Sequence, residues 1–102
     1  MLVSPSVVGA ADSLRLRTIV NGETRQDTNT DDLLFGVTSL VSFLSQGSTL
    51  EKGTVIMTGT PGGVAAGMKP PKWLRDGDVV EVAIEQLGSC VNRLVYENVH
   101  HL

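Results

Sequence analysis

A chain of 102 residues with 41% hydrophobic and 19% charged side chains has the balance of an ordinary folding domain, not of a disordered tail, and is long enough for one modest core. Its net charge of -3, with eight Lys and Arg scattered singly, leaves no basic stripe to follow a phosphate backbone and argues against a nucleic-acid partner. The single cysteine, Cys90, excludes an intrachain disulfide and a cysteine-rich metal knuckle, and reads as a small buried apolar residue.

No stretch approaches the roughly 20 apolar residues of a membrane span. The opening MLVSPSVVGAADS also lacks the basic region of a secretory signal. No membrane partner is expected, and the setting is cytoplasmic by default, or mitochondrial if an N-terminal segment is missing.

In chain order, LRLRTIVNGETRQDT alternates apolar and polar side chains through Leu14, Leu16, Thr18 and Val20 before Asn21-Gly22. An Asn-Gly pair supplies the positive φ values of a two-residue hairpin turn, so strand, turn, strand is predicted. In TNTDDLLFGVTSLVSFLSQG, Leu33, Leu34, Val37, Leu40, Val41 and Leu44 fall on one helical face. Thr28, Asn29 or Thr30 can cap this helix, Asp31 and Asp32 suit its positive end, Gly36 lies inside it, and Gly47 stands where a left-handed C-cap is expected.

TLEKG then turns into a predicted strand, TVIMT, followed by the Gly/Pro-rich excursion GGVAAGMKPPKW. Trp73 at its end reads as a packed or turn-anchoring ring in preference to a lid, because a large ring beside proline usually packs. LRDGDVVEVAIEQLGSCVNRLVYE supplies Asp-Gly turn chemistry, a strand through Val80, Val82 and Ile84, and another from Val91 to Val95. Alternation of this kind implies one buried and one wet face. The fold class is α+β, mostly β: a largely antiparallel sheet or roll with one packed amphipathic helix, without repeat, linker or second domain.

Few residue sets here can carry chemistry. His100 and His101 are the only histidines; adjacent on a terminal tail, they point opposite ways and make a poor metal pair or triad base. Asp31 with Asp32 serve a helix start, and Asp76-Gly77-Asp78 is a turn. Glu81 and Glu85 lie on a wet strand face, too far apart to chelate. Phosphate-loop spacings are absent. The remaining candidate is Thr58-Gly59-Thr60-Pro61, where the Gly59 and Thr60 amides and the Thr60 hydroxyl can form an anion-accepting nest or merely turn the chain.

The order of LRLRTIVNGETRQ, an amphipathic helix, TLEKGTVIMTGTPGGV and LRDGDVVEVAIEQLGSCVNRLV resembles the C-terminal half of the fumarylacetoacetate hydrolase family, from about Leu2 to Glu97. The resemblance implies a mixed β-roll, usually dimeric, in Mg2+- or Mn2+-dependent enzymes acting on 2-keto or β-diketo acids of the acylpyruvate, fumarylpyruvate or oxaloacetate type. It assigns substrate binding to Thr60, with Gly59 and Thr58. Asn21, Gly22, Glu23 and Gln26 take a structural hairpin role, and Gly77 and Asp78 a turn role.

The family's Glu-x-Glu metal pair, following Asp, catalytic lysine and His/Glu pair have no counterpart in this sequence, which enters the pattern partway through, near a strand like LVSPSVV. Residues 1–102 are accordingly expected to be one partial domain, with no metal bound and no catalytic residue of its own. Pairing with itself or with a full-length relative is one alternative, and a product without function is the other.

Overall fold

The computed structural model describes residues 1–98. Four strands form one antiparallel sheet: β1 (Arg15–Val20), β2 (Glu23–Asn29), β3 (Val79–Ile84) and β4 (Gly88–Arg93), in the order β2-β1-β3-β4. The Asn-Gly turn joins β1 to β2, with φ of 49° at Asn21 and 81° at Gly22, the positive pair that such a hairpin needs. β3 and β4 form the second hairpin. β1 and β3, distant in sequence, pair from Leu16 opposite Ile84 to Val20 opposite Val80.

The first hairpin is irregular at one point. Thr18 faces Gln26 but Ile19 faces Thr24, so Arg25 is an extra, unpaired residue in β2, a β-bulge. The two turns at that end of the sheet are tied together. Asn21 Nδ2 donates to Asp78 Oδ1 at 2.9 Å, and Asn21 Oδ1 accepts from the Val79 amide at 2.9 Å. Asp78 Oδ2 accepts from the Arg75 amide at 2.8 Å. That amide first, and Asn21 second, hold the Asp78 carboxyl below its ordinary range.

Two short helices accompany the sheet. α1 (Pro5–Val8) is one turn, capped by the Ser4 side chain and opened by Pro5; a strand in LVSPSVV is not found. α2 covers Val37–Leu44 only. Upstream of it, Asn29 caps a separate 3-10 turn, Thr30–Asp32, and Leu33 is extended, with ψ of 134°. The helical face read from Leu33 onward is therefore cut in two. Gly36 is the N-cap of α2, not an interior residue, and Ser45 stands at its C-cap in place of Gly47. The apolar period runs on across the break, but the Asn29 cap and the extended Leu33 interrupt the hydrogen-bonded spiral.

Residues 54–58 form no ladder with any described residue, so the strand expected at TVIMT is absent. The last strand begins and ends earlier than the Val91–Val95 reading. Among the described residues only Leu14 and Val20 are buried, at 5% and 4% exposure. The radius of gyration is 16.7 Å, against about 13 Å for a closely packed chain of 100 residues.

Large apolar side chains stand open, among them Leu34 at 95% and Met57 at 94%. Cys90 is exposed, not buried, because every residue of the edge strand β4 is exposed. Trp73, at 64% exposure, is not packed away either. β3 shows no clean wet and dry faces: Glu81 is half-buried and Val82 exposed.

Candidate functional site

Thr58-Gly59-Thr60-Pro61 forms one wall of a cavity of about 350 Å³, whose other lining includes Leu16, Thr28, Asp32, Phe35 and Leu40. Leu16 and Thr28 are register partners across the first hairpin, so the sheet floors the cavity and the 3-10 turn with α2 closes its side. Gly59 has φ of 105°, a conformation that side-chain-bearing residues rarely adopt, and it turns the chain here. None of the described residues accepts a hydrogen bond from the Gly59 or Thr60 amide. The three residues expected to bind substrate thus share one wall of the cavity.

The loop is fastened to β2. Gln26 Nε2 donates to Thr60 Oγ1 at 3.0 Å and to the Pro61 carbonyl at 3.1 Å, while Gln26 Oε1 accepts from Thr18 Oγ1 at 2.8 Å. Gly63 lies so close over the bulge that a Cβ there would stand 2.0 Å from the Arg25 carbonyl oxygen. The Arg25 side chain reaches on to the Lys72 carbonyl at 3.1 Å and Met68 Sδ at 3.4 Å. Lys72 Nζ in turn sits 3.2 Å from Glu23 Oε1. Residues 60–72 are thereby laid along β2 by side chains, not by a backbone ladder.

The sequence reading missed Gln26 as part of this wall and gave it only a hairpin role. No signal in the sequence marks it, because a regular hairpin sets Arg25 opposite Thr18 and only the bulge brings Gln26 there.

A magnesium-type cation asks for near-octahedral oxygen ligands at about 2.0–2.1 Å. Among the described residues no three His, Cys, Asp or Glu side chains converge. Asp32 is the one carboxylate lining the cavity, and its Oδ2 lies 3.4 Å from Thr28 Oγ1. Asp76 and Asp78 are engaged by the Tyr96 and Arg75 amides. The described residues therefore do not fit such a cation. His100 and His101 lie outside the described residues.

A four-stranded antiparallel sheet with a Thr-Gly-Thr-Pro loop fastened to its first hairpin defines the class of this segment as a mostly β, α+β fold. The chain belongs to the fumarylacetoacetate hydrolase family, matching the family's C-terminal region, "Fumarylacetoacetate (FAA) hydrolase C-terminal", over residues 1–95. It is 42% identical to the oxaloacetate tautomerase YisK of Bacillus subtilis over 92% of this chain and 31% of the relative.

Among solved structures it superposes on the fumarylacetoacetate hydrolase of Exiguobacterium antarcticum with a TM-score of 0.88 and 43% identity, covering 93% of this chain and 34% of that one. The maleylpyruvate hydrolase of Sphingobium, solved with manganese and pyruvate, gives 0.80 and 31% identity over 92% and 33%. The chain thus spans about a third of the length of the relatives it matches. No helix among the described residues is long and apolar enough to cross a membrane.

Proposed function

We propose that this chain carries the substrate-carboxylate cradle of an enzyme acting on 2-keto or β-diketo acids, of the acylpyruvate, fumarylpyruvate or oxaloacetate type, by hydrolysis, decarboxylation or tautomerisation. The observation that supports it is the pair of unpartnered amides at Gly59 and Thr60, beside the Thr60 hydroxyl, on the wall of the cavity. Two amides and a hydroxyl on one wall offer donors to a carboxylate, an acceptor-only group with about four lone-pair sites. Thr58 and Gly59 set the turn, and Thr60 orients the acid end so that the keto group projects into the cavity. The contribution of these residues is positional.

On this reading the described residues supply neither a divalent cation site nor a histidine base, and those parts of a whole enzyme come from chain outside them. The test is an assay of the purified chain on oxaloacetate and an acylpyruvate with Mg2+ added, beside Thr60→Ala. The expected result is no turnover above that variant, together with pyruvate-induced NMR shifts at the Gly59 and Thr60 amides that Thr60→Ala weakens. Turnover well above the Thr60→Ala level refutes the division of labour, and unmoved amides refute the cradle.

A second reading is favoured by the open apolar side chains Leu34, Phe35, Phe43 and Met57: the chain is an assembly module that packs this face against a full-length relative or a second copy. Exposed apolar side chains and unpaired strand edges both invite association. A monomeric elution with a single cooperative melt excludes it.

A further inference from the structure

Gln26 is gripped at both ends, and the chemistry of its partners fixes which end faces which. The Pro61 carbonyl, 3.1 Å away, can only accept, so the NH2 end of the Gln26 amide must face the loop. That leaves Oε1 toward Thr18, whose hydroxyl is the donor of the 2.8 Å bond. The second amide proton is then directed at Thr60 Oγ1, 3.0 Å away, and Thr60 is the acceptor in that bond. A hydroxyl has one proton and two lone pairs. With one lone pair taken by Gln26, the Thr60 proton is left for another acceptor, and no described residue provides one.

We propose that Gln26 is the positioning residue of the loop: it fixes the Thr60 hydroxyl as a donor toward the cavity, and so selects ligands that present an anionic or carbonyl oxygen there over ligands that present a hydroxyl or amine proton. Thr18 completes the relay by holding the Gln26 carbonyl, so the preference is set on β1 and transmitted across the hairpin. This rests on the cradle reading of Thr58–Pro61 given above, and goes beyond it in naming what polarises the threonine.

The experiment is an NMR titration of the 102-residue chain with pyruvate in four forms: wild type, Gln26→Met, Thr60→Val and the double variant. Gln26→Met removes all three hydrogen bonds without adding charge. It should weaken pyruvate about tenfold, as expected for one donor to a charged group, while the hairpin amide resonances stay in place. In the Thr60→Val background the same substitution should have no further effect. Equal weakening in both backgrounds, or none in either, overturns the proposal.

If Gln26→Met loses the hairpin pattern, Gln26→Glu takes its place: the carboxylate can still accept from Thr18 but offers Thr60 an acceptor where it had a donor, and tenfold weakening is again expected only with Thr60 present. Three-bond couplings of Thr60, measured without ligand, separate the two readings. One χ1 rotamer in wild type that averages in Gln26→Met supports the positioning role even if pyruvate fails to bind and the cradle falls. Averaging already in wild type refutes the positioning role.

Discussion

The sheet and the stretch from Leu33 to Trp73 are built on different principles. The four strands are held by backbone ladders, interrupted at the Arg25 bulge, and their turns are cross-braced through Asn21 and Asp78. The intervening stretch has one eight-residue helix and otherwise rests on a few side-chain anchors, namely Gln26, Arg25 and the close approach at Gly63. Backbone ladders are cooperative and tolerate the loss of single side chains. A segment held by three anchors should not.

The contrast can be broken most forcefully at Gly63. Gly63→Ala places a Cβ 2.0 Å from backbone that cannot swing aside, at a φ of 103°, and overpacking of this sort costs about 1–3 kcal/mol. Urea unfolding should register that loss, and the amide resonances of residues 58–64 should move while those of β3 and β4 stay. Movement throughout the sheet would erase the distinction between the two regions.

A smaller effect is expected at the brace. The Asp78 carboxyl is held low by the Arg75 amide and by Asn21, so it stabilises the fold above its ordinary pKa of about 3.9, and that stability is lost as pH falls through its folded value. Asp78→Asn should melt below wild type at pH 7, and the gap should close below about pH 4. A gap that persists in acid would show that the loss is one of shape, not of charge.

The smallest effect belongs to Cys90. Exposed on β4, it should react rapidly with a thiol reagent, and Cys90→Ser should change stability by no more than about 0.5 kcal/mol. Slow labelling would mean that β4 is covered in solution.

The sheet was the legible part of the sequence. Period-two alternation and the Asn21-Gly22 pair place the first hairpin, and Asp76-Gly77-Asp78 marks the turn before β3. The helix was overextended because apolar spacing carries through Leu33 and Leu34, whereas the break is made by a local cap at Asn29 that competes with the spiral.

A buried Cys90 and a packed or turn-anchoring Trp73 are expectations from residue-type habits that presuppose a closed core, and among the described residues only Leu14 and Val20 are enclosed. TVIMT has strand composition but no described partner, and composition alone cannot supply one. The Thr58–Pro61 wall was visible as a pattern, and Gln26 was not. A two-residue turn counted strictly back from Asn21-Gly22 sets Arg25 opposite Thr18, and only the bulge exchanges the two.

The unpaired Arg25 gives the hairpin's length a meaning of its own. Remove it and the ladder becomes regular with the glutamine still opposite the threonine it serves, but the arginine that clasped residues 68 and 72 is gone. A tidier ribbon would grip its neighbour at fewer points, so deleting this one residue should loosen residues 68–72 while the pairing of the strands stays as it is.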